Sequence, residues 1–203
     1  RASVPENMEM SSIKRMIISK EEWSNERLKK YEEQIRLTKR KYISGEDHYL
    51  NGKRYILKVV DSNTPSIKKE NAKSLVMYVR KSSSIENKEK LMNSFYKEQL
   101  SLKINKYLPE LESIIKVKSN GYSIRKMKNK WGSCNREMKT LIFNVDLAQK
   151  KDAEIKYVII HELLHFIEKN HNEHFREMIE FYCPKWEQYH SSLNKILNDN
   201  KMC

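Results

Sequence analysis

The stretch HELLHFIEKNH, from His161 to His171, limits what this chain can fold into more tightly than any other. Residues four apart lie on one face of an α-helix, so His161 and His165 can present their imidazoles to one point in space. Zinc accepts histidine nitrogens at roughly 2.0–2.1 Å, and a catalytic zinc takes three protein ligands and keeps a position open for water. His171 is placed to be the third ligand if the helix ends and the chain turns back; His174 is the rival. Glu162, beside the first histidine, is then poised as general base on the zinc-bound water. The preceding residues Lys156 to Ile160, KYVII, are apolar enough to bury the helix, which makes the histidines interior. The spacing from first to third histidine equals that of H-E-x-x-H-x-x-G-x-x-H, but Glu168 stands where that pattern has glycine. The turn must therefore be made differently, with Asn170 expected as its left-handed residue. Imidazoles also bind nickel, cobalt or iron, so the motif predicts zinc without excluding these.

A chain of 203 residues can bury a core and fits one domain, or one domain with a small lobe. The formal charge of +13 is uneven: residues 1–120 hold 26 Lys+Arg against 16 Asp+Glu, and residues 121–203 hold 14 against 11. Such a surface attracts phosphates, nucleic acid or acidic substrates, and equally describes a solvated lysine-rich face. Cys134, Cys183 and Cys203 are far apart and odd in number, which excludes a disulfide framework and a C-x-x-C knuckle and suits a cytoplasmic setting. No apolar run approaches the ~20 residues that span a bilayer. No signal peptide is visible, although the chain opens on Arg1.

Along the chain, Ser12 is placed to cap a helix beginning near Ile13 and continuing to about Leu37, with Trp23, Leu28, Tyr31 and Ile35 on its apolar face. Asn51-Gly52 between Tyr49-Leu50 and Tyr55, Leu57 and Val59 signals a two-residue hairpin. Lys73 to Arg80 reads as a strand, and Ser62 to Ser66 and Lys81 to Ser84 as loops. A helix from Ile85 to Ile104 is followed by a short second one over 107–115, starting near Pro109. Ile124 to Lys130 and Thr140 to Val145 read as strands joined by a turn at Asn135 to Met138. Asp152 caps the histidine helix, predicted to run to about Lys169. Phe175 to Tyr182 forms the next helix, stopped by Pro184, and Lys185 to Leu197 the last.

WGSC (Trp131 to Cys134), LIFNVDL (Leu141 to Leu147), YVIIHELLH, NHNEHF (Asn170 to Phe175) and Pro184-Lys185-Trp186, with the hairpin from Gly45 to Tyr55, resemble the YgjP-like metal-dependent hydrolases. That family is related to the SprT-like zincins, and the resemblance covers nearly the whole chain. It implies an α+β zincin-like metallohydrolase with a mixed or antiparallel sheet and an active-site helix carrying His-Glu-x-x-His. It further implies zinc held by His161, His165 and His171, Glu162 as base, and an N-terminal portion before Ser3 that is missing here. Residues 1–85 would form a basic α+β lobe and residues 86–203 the zincin-like catalytic region, within one continuous domain. Arg176 stands where the family usually has Trp, and Leu164 where Cys or Ala is frequent; neither change touches a ligand.

Three chemistries follow. In the first, a metallopeptidase, Glu162 activates zinc-bound water against a peptide carbonyl, with an oxyanion donor among His174, Tyr182 and Lys130. The strand carrying Trp131 to Cys134 would pair with an extended peptide. In the second, the resemblance implies a nucleoside triphosphate (UTP-type) pyrophosphatase. Lys126, Lys128 and Lys130 would share one face of a strand beside the metal and bind phosphate, with Arg125 on the other face. In the third, a DNA-associated module uses the basic N-terminal half, although no recognised nucleic-acid motif is present. Cys134 and Trp131 read as packed side chains, with Trp131 and His174 kept as candidate substrate contacts.

Overall fold

The computed structural model describes residues 9–21, 25 and 40–194. The chain divides into two compact units, residues 1–39 and 40–203. In the first, α1 spans Met10–Ser19. It starts before the predicted cap, so Ser12 lies inside it and donates its backbone N–H to the Glu9 carbonyl at 3.0 Å. Trp23, Leu28, Tyr31 and Ile35 lie outside the described residues.

The second unit opens with the hairpin β1 (Asp47–Leu50) and β2 (Lys53–Asp61), paired antiparallel through Asn51-Gly52. Both turn residues have positive φ, 53° and 73°, which is why asparagine and glycine occupy them. The hairpin tip donates from Asn51 N–H to the Ala148 carbonyl and from Gly52 N–H to that of Gln149. A β-carbon on Gly52 would also lie 2.4 Å from Lys151 Cγ. The tip therefore docks on the segment that leads into the histidine helix. β4 (Ser74–Val79) pairs parallel with β2, and β3 (Ser66–Lys69) closes the order β1-β2-β4-β3 as a strand that the loop-like sequence SIKK does not announce.

α2 runs unbroken over Ile85–Ile115, with Pro109 inside it, instead of forming two helices. Proline in a helix interior loses a hydrogen bond and costs ~3 kcal/mol. The apolar spacing continues through it, however: Leu100, Ile104, Leu108, Leu111 and Ile115 are all buried. At about 1.5–3 kcal/mol per buried aliphatic side chain, that face outweighs the proline.

The second sheet has order β5-β7-β6, with β5 (Tyr122–Arg125) parallel and β6 (Gly132–Asn135) antiparallel to β7 (Thr140–Asn144). The strand expected over Ile124 to Lys130 stops at Arg125, and the WGSC segment forms β6 as an edge strand. The cause is Asn144, whose buried amide donates to the Met127 carbonyl (2.9 Å) and the Lys130 carbonyl (2.8 Å), curling residues 126–131 away from a ladder. Both sheets are mixed, so the fold is α+β.

A 3-10 turn, Val145–Gln149, leads into α3 (Asp152–Leu164). Asp152 is not its cap. Its carboxylate accepts from Lys103 Nζ (2.9 Å) and Tyr107 hydroxyl (2.6 Å) on α2, while Glu154 accepts from the Lys151 N–H at 2.8 Å. α4 (Glu173–Tyr182) and α5 (Trp186–Asn194) pack against α3, and Ser192 hydroxyl donates to the buried Glu154 at 2.6 Å. No described helix is long and apolar enough to cross a membrane.

Candidate metal centre

α3 is buried along almost its whole length, from Glu154 to Leu164, so its last turn carries His161 and Glu162 into the interior. The helix ends at Leu164, earlier than the sequence suggests, with His165 as its C-terminal cap still at helical angles (φ −65°, ψ −14°). His165 thus keeps its place one turn from His161. The chain then tightens: Phe166 N–H reaches the Leu163 carbonyl at 3.0 Å, and Ile167 N–H that of Leu164 at 2.9 Å. Asn170 does not take a left-handed conformation. The reversal is instead held by Glu168, the residue in glycine's place, whose carboxylate accepts from Asn170 N–H at 3.1 Å. Its backbone carbonyl lies 3.0 Å from His165 Nδ1, which puts the proton on that nitrogen and leaves Nε2 as a bare lone pair.

His171 then returns to the helix. Its Nε2 lies 3.1 Å from His161 Nε2, and His165 Nε2 lies 3.2 Å from the same atom. Nitrogens bound at ~2.0–2.1 Å around a tetrahedral ion sit about 3.3 Å apart, which these two spacings match, and the three ligand atoms all lie within 4.8 Å of one another, so the cluster could hold a metal ion. These three are the one group of metal-ligating side chains among the described residues. Burial depresses all three imidazoles below the usual histidine range, helped by His165 and His171 at His161, by His171 at His165 and by His190 at His171, which keeps them neutral and available as donors. His174, the rival ligand, is exposed on the first turn of α4, with Nδ1 3.8 Å from Glu177.

Two features missed in the sequence complete the nest. Asn172 caps α4, its side chain accepting from Phe175 N–H at 2.9 Å, and this aims the buried Phe175 ring at the histidines. That ring lies 5.1, 4.7 and 4.8 Å from the imidazole centroids of His161, His165 and His171. Across the site, Gly132 of β6 faces Glu162: a β-carbon there would lie 2.6 Å from Oε1 and 2.7 Å from Cγ. A glycine inside a strand marks such a close approach. Glu162 is only 5% exposed and makes no hydrogen bond among the described residues. Burial pushes its carboxyl up to about 8, against the pull of Lys130.

A cleft of about 450 Å³ opens over the histidines, walled by Lys130, Gly132, Cys134, Arg136, Glu162 and Lys169. Burial and the Glu162 charge raise the Cys134 thiol to about 11, which leaves it protonated and a poor nucleophile. Trp131 contributes to the cleft floor but is 1% exposed, with Lys150 Nζ over its ring at 4.9 Å; it is a structural anchor. Of the three lysines expected on one strand face, only Lys130 reaches the cleft. Lys126 donates to Asp146 at 2.8 Å, and Lys128 is exposed elsewhere. Tyr182 lies against the core, outside the cleft. A second, more apolar cavity of about 230 Å³ borders His161 and His171 from the α4–α5 side, between Tyr157, Phe175, Ile179 and Trp186, with His190 at its wall.

No curated protein matches this sequence. Among solved structures, the metallopeptidase zymogen abylysin of Pyrococcus abyssi is similar at TM-score 0.44 and 18% identity, over 49% of this chain and 99% of its own. The metallopeptidase zymogen jannalysin of Methanocaldococcus jannaschii is similar at TM-score 0.42 and 25% identity, over 46% and 96%. The YgjP-like, metallopeptidase domain family model matches residues 1–196, nearly the full length, and the chain belongs to that family.

Proposed function

We propose that this chain hydrolyses peptide bonds at a zinc ion held by His161, His165 and His171, with Glu162 as general base. The observation that carries this reading is the place of Glu162: a residue only 5% exposed, with no side-chain hydrogen bond from the described residues, lining the cleft beside three converging imidazole nitrogens. A carboxyl in the cleft wall whose oxygens are not taken up by structural hydrogen bonds is free to accept a proton from a reacting water, which gives it a reason to be there. Zinc, when bound, supplies a Lewis acid that polarises the scissile carbonyl and makes water more acidic. Glu162 takes the proton of the attacking water as the C–O bond forms, and returns it to the amide nitrogen as the C–N bond breaks. Lys130 is the one residue of the three expected oxyanion donors that lines the cleft, and it takes that role. β6, paired on one side only, offers its free edge to an extended substrate.

For the nucleotide alternative, the strand face of Lys126, Lys128 and Lys130 does not form at the cleft, where only Lys130 of the three lies. The test is paired. Metal-analysed wild type and Glu162→Gln are incubated with casein and with a nucleoside triphosphate panel. Peptide cleavage that disappears in the variant, while zinc content stays the same, is expected; triphosphate turnover without peptide cleavage would replace this reading.

A further inference from the structure

We propose that the cleft selects peptides with acidic side chains on either side of the bond that is cut. This rests on the peptidase reading and specifies its substrate class. Three cations from three separate segments reach the cleft: Lys130 from the stretch before β6, Arg136 from the β6–β7 turn, and Lys169 from the turn after α3. None of the three is paired with a carboxylate among the described residues, so each ammonium or guanidinium is available to a ligand, and what sets them apart from other unpaired surface cations is that all three line one cleft. The one acid in the cleft wall is Glu162, already committed as base, and the nearby Glu168 carboxylate is turned to the Asn170 N–H.

One of the cations is also tethered by a hydrogen bond, the Arg136 guanidinium donating to the Ile167 carbonyl at 3.4 Å, while Asn144 fixes the backbone of Lys130 through its carbonyl at 2.8 Å. Unpaired like charges around a concave, partly dry site repel one another and concentrate positive potential, and a ligand carboxylate relieves both. The arrangement favours a peptide over a nucleotide because Lys130 and Arg136 flank the two ends of β6. An extended chain on that edge passes both, and at ~3.3 Å per residue their reach covers about three residues on each side of the scissile bond.

The test uses the full zinc-loaded chain and paired internally quenched peptides, identical except for Glu and Asp against Gln and Asn around the cleavage site. The acidic peptide is expected to show about tenfold higher kcat/KM, from several modest charge contacts, and the ratio should shrink as salt rises from about 0.05 to 0.5 M. Arg136→Gln with Lys169→Gln should bring the ratio close to one. An equal charge change at the exposed Lys68 and Lys118 should leave it as it was. Equal cleavage of both peptides by wild type, or a ratio that survives in the cleft variant, overturns the proposal. If zinc is bound and neither peptide is cut, the peptidase reading fails, and labelled-peptide binding to Glu162→Gln decides separately. Preference for the acidic peptide that Arg136→Gln with Lys169→Gln removes sustains the recognition claim. Binding of a nucleoside triphosphate with no peptide binding overturns it.

Discussion

Replacing Gly132 by alanine tests the site where the structure is most specific. The added methyl would sit 2.6 Å from Glu162 Oε1, 2.7 Å from Cγ and 2.9 Å from Cδ, whereas ordinary contact begins at 3.4 Å. Gly132 has no positive φ, so the backbone accepts alanine without strain and the whole effect is the collision. Because Cγ is caught as well as the carboxylate tip, rotation of the end group does not relieve it. The side chain must withdraw by about 0.7 Å, within a packing environment that resists such shifts at ~1–3 kcal/mol. A misplacement near 1 Å at a reacting group costs on the order of 10²-fold in rate, so kcat should fall about 30- to 100-fold. The histidines lie across the cleft and are not touched, so zinc content should stay near one per chain. The assay is peptide turnover with metal analysis, alongside Gly132→Ala combined with Glu162→Asp. The shorter acid frees the space, so the double variant should be no slower than Glu162→Asp alone, a coupling that a double-mutant cycle reads directly. Full activity in Gly132→Ala, or additive losses in the double variant, would refute the claim that this glycine sets the position of the base.

Other outcomes follow from the same geometry. His171→Ala should release zinc to a chelator far more readily than wild type, while His174→Ala should retain it; metal analysis after dialysis against a chelator distinguishes them. Glu162→Gln should bind zinc normally and lose turnover by roughly 10²–10⁴-fold, the usual worth of a general base. His48 is fully buried between Tyr96 and Glu46, and burial lowers its imidazole from 6.5 to about 4. It is therefore neutral in the fold while the unfolded chain takes up a proton below about 6.5. Its contribution is present above that pH and lost as pH falls toward about 4, by up to ~2–3 kcal/mol. Denaturant unfolding at pH 7 and pH 5 should show a smaller pH effect in His48→Gln than in wild type, and an identical pH effect in both would contradict this assignment.

The cluster of three histidines was legible in the sequence because it is local: two histidines one helical turn apart and a third within a short return. The hairpin at Asn51-Gly52 was legible for the same reason, since positive φ at both positions selects those residues directly. What could not be read was set by contacts between distant segments. Proline at 109 argued for a break that the buried face from Leu100 to Ile115 overrules, a balance visible only once that face has a partner. Alternating lysines from Lys126 to Lys130 imitated a strand, yet Asn144 takes the carbonyls at 127 and 130 and Asp146 takes the Lys126 ammonium. The turn before His171 needed a capping group rather than a left-handed residue, and Glu168 supplies it with its side chain while its carbonyl orients His165.

This division has a consequence for how the site works. The histidines and Glu162 come from one short segment, so the metal chemistry proposed above would be encoded almost entirely between residues 161 and 171. The groups proposed to place and select a substrate do not. Gly132, Lys130 and Arg136 arrive on or beside the edge strand β6, about thirty residues earlier in sequence, and Lys169 from the turn after α3. Docking of β6 across the last turn of α3 is what joins the two sets. A change that loosens that docking, such as loss of the Asn144 amide that holds the segment before β6, should therefore raise KM and blunt charge preference while leaving zinc in place. Substitution within 161–171 should act first on the metal or on kcat.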